Sequence, residues 1–183
     1  MKNIVRDVIN RVYIKKDHDY FKHKANSVLE LPEKLYQISK NNTKVVGGKD
    51  GSGEVSVDWY IHFPKVIKGE FSALFTTVLK ISKIIPIFYI QHEFAVENRD
   101  EKKIEPKLEG FSGQPYSIAQ FDMHNSLVEC LGNLDYVELS YSEINEVISG
   151  ISIPQETRIF GEQMTVETAL FRDVYDLCSA EEA

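Results

Sequence analysis

Strict alternation over residues 54–63 is the sequence feature that most constrains the fold. Apolar side chains stand at every second position of this segment: Val55, Val57, Trp59, Ile61 and Phe63. Because successive side chains of a strand point to opposite faces of a sheet, the alternation predicts a half-buried β-strand. A strand with one polar face favours a mostly antiparallel sheet that is packed on one side by several helices.

The segment before this strand, Gly47-Gly-Lys-Asp-Gly-Ser-Gly53, has the composition of a phosphate-binding loop. Such a loop would contain Gly-Lys followed by Ser or Thr, and it would lead into a helix whose N-terminus binds the phosphate. Here the segment leads into a strand. It is therefore predicted to be a hairpin loop.

Apolar spacing predicts the remaining elements. Steps of three and four favour helices over residues 2–15, 32–41, 71–85, 117–131, 140–148 and 166–178, and leave residues 17–31 undecided. Alternation favours strands over residues 87–96 and 136–139, and Asn98 to Pro115 is predicted to be a long surface loop. Two capping boxes mark helix starts: Ser117 with Gln120, and Ser140 with Glu143.

The order of these elements defines the fold class. Helices and strands intermingle without a regular βαβ alternation, which predicts an α+β fold with a mostly antiparallel sheet. At 183 residues the chain has the length of one domain and can bury a sizeable core. We therefore expect residues 1–183 to form a single α+β domain.

The N-terminal residues and the cysteines favour a cytoplasmic protein. Positions 2, 6, 7 and 11 are charged, and no apolar run of signal-peptide length is present. The most apolar window, 81–90, is far shorter than the roughly 20 residues that cross a bilayer, so no membrane association is expected. Cys130 and Cys178 have no paired-cysteine spacing, and no glycine pattern indicates a nucleotide. We expect neither a metal nor a cofactor.

Charge is distributed very unevenly along the chain. The net charge of −7 divides into +6 for residues 1–49, −2 for residues 50–110 and −11 for residues 111–183. An acidic C-terminal third repels nucleic acid and anionic membranes, and it attracts basic surfaces. The alternative is a solvated acidic surface that the basic N-terminal helix partly neutralises.

Six carboxylates of the acidic third are the candidate partner-binding residues: Asp135, Glu138, Glu143, Glu146, Asp173 and Asp176. The first four crowd a strand-to-helix junction, and Glu143 and Glu146 have the spacing of one helix face. Like charges this close cost stability, which a basic partner would relieve. For Asp173, on the edge of an apolar helix stripe, the alternative is a salt bridge to a basic residue of the N-terminal region.

An acid–base site is the competing interpretation. His62 shares a strand face with Asp58, and Glu93 would join them if the strands at 54–63 and 87–96 were neighbours. Polar residues on the wet face of a half-buried sheet need no function, so no catalytic residue is assigned. His92 and His124 lie on apolar faces, and they are predicted to be hydrogen-bonded core histidines rather than metal ligands.

The profile of the whole chain, which is small, acidic, without catalytic motifs and rich in Asn, Lys and Ile, resembles that of bacterial toxin-immunity proteins. These include the immunity proteins of contact-dependent growth inhibition systems. The resemblance implies a cytosolic protein that binds and neutralises a cognate secreted toxin domain, often a basic nuclease. The alternatives are a small enzyme using His62, Asp58 and Glu93, and an adaptor protein of a mobile element.

Overall fold

The structure, a computed structural model, describes residues 1–40, 43–48, 53–100, 102, 108–160 and 162–178. Its helices are α1 (Asn3–Ile9), α2 (His18–Asn26), α3 (Glu33–Lys40), α4 (Ile118–Gly132), α5 (Tyr141–Ile144) and α6 (Val166–Leu170). Its strands are β1 (Lys44–Gly47), β2 (Ser56–His62), β3 (Val66–Lys68), β4 (Phe71–Ser82), β5 (Ile87–Asn98), β6 (Leu108–Ser112), β7 (Val137–Leu139), β8 (Val147–Ser152) and β9 (Gln163–Thr165). A π-helical turn, Asn10–Ile14, continues α1, and a 3-10 helix, Gln155–Phe160, follows β8.

A long antiparallel pair, β4 and β5, forms the centre of the main sheet. Phe71 faces Asn98 at one end of the pair, and Ile81 faces Phe88 at the other. Two shorter strands cover each outer edge of this pair: β2 and β3 pair with β4, and β6 and β7 pair with β5. β7 runs parallel to β5, whereas the other pairings are antiparallel. The predicted α+β fold with a mostly antiparallel sheet is therefore confirmed.

Helices α3 and α4 pack on one face of this sheet, as the polar face of β2 implied. Their core contacts are Leu35, Met123, Leu127 and Leu131 against Val57, Trp59, Ile61, Leu79, Ile81, Phe88 and Ile90. Full burial of one large apolar side chain contributes about 1.5–3 kcal/mol, so this layer fixes the helices on the sheet. Ser117 caps α4 by accepting the Gln120 backbone N–H, but the Gln120 side chain accepts the Tyr116 N–H instead of that of Ser117, so only half of the predicted capping box is formed.

A second core surrounds the turn between β4 and β5. Ile84 is fully buried there, among apolar residues of α1, α2, α6 and the small β8–β9 sheet. Val5, Val8, Ile9 and Val12 form the buried stripe of the N-terminal helix, as their spacing predicted. The Tyr13 hydroxyl donates to the Ala169 carbonyl at 2.7 Å, which ties this helix to α6.

The prediction of a helix over residues 71–85 is wrong, because Phe71–Ser82 is strand β4. Val78 and Leu79 lie on opposite faces of this central strand, and both are buried. A strand that is apolar on both faces has apolar residues at steps of three and four without being helical. The consecutive β-branched residues Thr76, Thr77 and Val78 are the signal that favours a strand.

Three further boundaries differ from the predictions. The helix predicted over residues 140–148 ends at Ile144, and β8 follows it. The helix predicted over residues 166–178 ends at Leu170, because Asp173 accepts backbone N–H groups of residues 177 and 178 and forms a turn instead. The loop predicted from Asn98 to Pro115 contains β6, and its residues 101 and 103–107 lie outside the described residues.

The hairpin predicted around the glycine-rich segment joins β1 to β2, which pair antiparallel. Residues 49–52 of the connection lie outside the described residues. At Gly48 the backbone has φ +74°, and a Cβ would lie 2.1 Å from Trp59 Nε1. This position therefore requires glycine, both for its conformation and for its close approach to the tryptophan ring.

Candidate functional site

A gap in the edge of the main sheet opens the cleft that we take as the candidate site. β6 ends at Ser112, opposite His92, and β7 ends at Leu139, opposite Tyr89. The two strands thus approach each other along the same edge of β5, with residues 90 and 91 between them. Beyond Ser112 and Leu139 both segments turn away from the sheet. They leave a cleft of about 830 Å³, which we call the strand-gap cleft.

The walls of the strand-gap cleft are rich in hydrogen-bond acceptors. Its polar side chains include those of Ser112, His124, Glu138, Ser140, Ser142 and Glu143, and none of the described residues that line it is Lys or Arg. The Lys2 ammonium contacts Glu143 and donates to the Glu138 backbone carbonyl, so it offsets part of the charge of the two carboxylates, and the hydroxyl groups can orient a donor. The cleft is therefore suited to a cationic group such as a guanidinium or an ammonium.

A chain of polar contacts connects the cleft to the core of the sheet. His92 Nδ1 lies 3.0 Å from Thr77 Oγ1, and His92 Nε2 lies 3.1 Å from His124 Nδ1. His124 Nε2 lies 3.4 Å from Glu138 Oε1 at the cleft. Burial, and after it the neighbouring His124 imidazole, lowers the pKa of His92 to about 4. His92 is therefore a neutral core histidine at pH 7, as its apolar strand face predicted.

Glu143 is held by its own helix and by the N-terminus. Its carboxylate accepts the Ser140 backbone N–H at 2.9 Å, which completes the predicted capping box of α5, and it lies 3.5 Å from Lys2 Nζ. Burial alone would raise the pKa of Glu143, but the Ser140 hydrogen bonds and the Lys2 ammonium outweigh it and lower the pKa. The negative charge of Glu143 therefore persists well below neutral pH.

The other predicted carboxylates are not gathered into one patch. Glu146 lies beyond the end of α5 and contacts the Met1 ammonium at 2.7 Å, so it does not share a helix face with Glu143 as predicted. Asp135 is exposed in a left-handed turn with φ +62° between α4 and β7. Of the four junction carboxylates, Glu138 and Glu143 line the strand-gap cleft.

Asp173 and Asp176 lie elsewhere in the molecule. Asp173 lines a separate hollow of about 490 Å³ beside Gly48 and Asp58. Its carboxylate accepts the Leu177 and Cys178 backbone N–H groups, which is a local turn in place of the salt bridge considered from the sequence. Asp176 has φ +54° in the same turn region.

The residues of the acid–base alternative do not meet as that hypothesis requires. β2 and β5 are not neighbours, because β4 lies between them. His62 and Glu93 instead flank Thr76 in one row across three strands, and His62 Nδ1 lies 3.0 Å from Thr76 Oγ1. Asp58 accepts the Ser56 hydroxyl and lies 3.9 Å from Lys80 Nζ. The three titratable groups are thus held separately.

His62 and Glu93 do line another hollow, distinct from the strand-gap cleft and from the hollow at Asp173, and we call it the open sheet face. It has a volume of about 850 Å³ and is lined by residues of β2, β4, β5 and β6, with no helical residue among its described lining residues. Apolar residues alternate there with acidic ones: Leu74, Ala95 and Phe111 with Glu93 and Glu109. Phe111 also lines the strand-gap cleft, so the two hollows are contiguous.

The sequence does not indicate the role of His124. Its helical position between Phe121 and Val128 suggests a core residue, whereas its ring reaches the strand-gap cleft and Glu138. His124 and Glu138 lie on two consecutive elements, α4 and β7, and the parallel pairing of β7 with β5 fixes where Glu138 lies in the sheet. Parallel pairings of non-consecutive strands leave no local signal in a sequence.

Comparisons with known proteins do not assign the chain to a family. No protein-family model, no curated protein and no solved structure matches it. Among the described residues, no group of three or more His, Cys, Asp and Glu side chains could hold a metal ion. No helix within the described ranges is long and apolar enough to cross a membrane.

Proposed function

We propose that this chain is a cytoplasmic inhibitor of the immunity type, which binds a basic toxin domain through the strand-gap cleft. The observation that carries the proposal is the Glu138 carboxylate, which lies in the cleft among several hydroxyl groups while the Lys2 ammonium contacts the Glu143 carboxylate and the Glu138 backbone carbonyl. A lysine or arginine side chain of the partner would enter the cleft. Neutralising a toxin then consists of covering its basic substrate-binding surface.

Glu138 is the residue best placed to receive the partner's cation. Its carboxylate lies at the cleft and contacts a histidine, His124, rather than a lysine or arginine. Glu143 has the Lys2 ammonium beside it and supports α5 through its cap, so it is less available to a partner's cation than Glu138 is. An ion pair formed inside a cleft is shielded from water. Removing the charge of Glu138 should therefore mainly speed dissociation of the complex.

The overall charge supports the same partner. Residues 111–183 carry a net charge of −11, so a basic domain would be attracted over distances of roughly 10 Å at moderate salt. Steering of this kind raises association rates well above the roughly 10⁵–10⁶ M⁻¹s⁻¹ of uncharged pairs. For an inhibitor of a toxin already inside the cell, fast association is the property that matters.

The proposal predicts that the reading frame directly upstream of this chain encodes a large secreted protein with a basic C-terminal domain, and the test uses that domain in purified form. We expect stopped-flow association to be fast and to slow steeply as salt rises. Glu138→Gln keeps the shape of the side chain and removes its charge, and it should raise Kd by about tenfold or more. Glu129→Gln on α4 is the matched control, because Glu129 is 71% exposed and does not line the cleft.

Two outcomes would contradict the proposal. One is the absence of binding between the wild-type protein and that domain. The other is a Glu138→Gln variant that binds as tightly as the Glu129→Gln control. Reversal of Glu143 is a poor test, because it would remove the α5 cap together with the charge.

A further inference from the structure

We infer that the open sheet face is the second half of the same interface and that Phe111 is its central apolar anchor. The inference rests on the proposed function and names a further part of the partner, namely an apolar side chain with basic residues around it. The strand-gap cleft would receive a cation, and the open sheet face would receive the apolar centre of the toxin surface.

Phe111 is exposed and lines both hollows. It lies on the edge strand β6, opposite Glu93 of β5, and it is 57% exposed. Its ring centroid is 6.4 Å from that of Tyr141, which lines the strand-gap cleft and is also exposed. The two rings form an aromatic ridge between two hollows of about 830 and 850 Å³. Buried aromatic residues near the centre of an interface supply most of its binding energy.

The charged residues around this aromatic ridge indicate which kind of partner surface would bind there. Glu93 and Glu109 line the open sheet face, and Glu138 and Glu143 line the strand-gap cleft on the other side of Phe111. Among the described residues, neither hollow has a lysine or arginine in its lining. An apolar centre within an acidic rim complements an apolar residue within a basic rim, which a nuclease-like toxin surface would present.

The extent of the surface favours a protein over a small molecule. The two hollows share Phe111, so a partner that covers one of them would also reach the other. A specific protein interface covers roughly 800 Å² on each partner, which needs a surface of this breadth. An aromatic side chain left exposed beside a hydrophobic hollow is also typical of an interaction site.

The experiment measures binding of the upstream-encoded C-terminal domain to two variants of the open sheet face. Phe111→Ala should raise Kd by about tenfold to a hundredfold, mainly through faster dissociation. Glu109→Lys should slow association at low salt. The matched controls are Ile118→Ala, since Ile118 is 80% exposed on α4 and outside both hollows, and Glu129→Lys. Thermal unfolding of each variant shows that it is folded.

The outcomes separate this inference from the proposed function. If Glu138→Gln weakens binding while Phe111→Ala and Glu109→Lys bind as their controls do, the interface ends at the cleft and the inference fails alone. If Phe111→Ala weakens binding and Glu138→Gln does not, the cleft proposal fails and the open sheet face stands. Absence of wild-type binding overturns both. A Phe111→Ala variant that changes the oligomeric state in sedimentation, without affecting binding of the toxin domain, would make a second copy of this chain the occupant.

Discussion

His92 makes the stability of this protein dependent on pH in a defined window. The side chain is fully buried, with both ring nitrogens in polar contact, and its pKa falls from 6.5 to about 4. Below pH 6.5 the unfolded chain binds a proton at this position, whereas the folded chain does not until about pH 4. The stabilising contribution is therefore complete above pH 6.5 and is lost as the pH falls towards 4.

The size of the effect follows from that interval. Each pH unit over which only the unfolded chain is protonated costs about 1.4 kcal/mol. The interval from 6.5 to about 4 is therefore worth about 3 kcal/mol of the free energy of unfolding. This is a large share of the roughly 5–15 kcal/mol that stabilises a typical domain.

The assay is urea unfolding, followed by the fluorescence of Trp59, which is the one tryptophan and is buried. The comparison variant, His92→Gln, can donate and accept hydrogen bonds but does not titrate. Carboxylates with lowered pKa values, such as Glu143 and Glu167, also lose stabilisation in acid, but they are common to both proteins. We expect the wild type to lose about 3 kcal/mol more than the variant between pH 7 and pH 4. Parallel stability curves would refute the reasoning.

Two substitutions test the packing around the site. Gln120→Leu should destabilise the protein by about 2 kcal/mol in urea unfolding, because the buried Gln120 amide donates to the Thr76 and Glu93 carbonyls and accepts the Tyr116 N–H. Wild-type stability of this variant would show that these bonds are dispensable. Gly48→Ala should lower stability by more than about 2 kcal/mol and shift the Trp59 emission, because its φ is positive and the new Cβ would meet the indole. An unchanged melting curve and spectrum would contradict this account of the hairpin.

Local sequence patterns predicted the strands and helices that have one apolar and one polar face. Strand β2 has one apolar and one polar face, and α4 has a capping serine followed by an apolar stripe, so each carries its own signal. Strand β4 is buried on both faces towards its turn, and its periodicity therefore resembled that of a helix. Segments of five or six residues, such as α6 and β8, are too short for periodicity to separate helix from strand.

The candidate site was predictable only in part. Acidic density pointed to the region of Glu138 and Glu143, because charge can be counted along a sequence. The cleft itself depends on where β6 and β7 end on β5, and one of these pairings is parallel and distant along the chain. Glu143 and Glu146 were wrongly placed on one helix face because α5 ends at Ile144, and the contact of Glu146 with Met1 depends on tertiary structure alone.

The interrupted strand edges of the sheet also bear on solubility. An uncovered β5 would present a twelve-residue edge, long enough to pair with a strand of another molecule. Strands of five and three residues cover it instead, in opposite directions and with a break at residues 90 and 91. Short outer strands offer few aligned backbone groups to another chain. The break that opens the cleft thereby limits the length of backbone with which a strand of another molecule could pair along that edge.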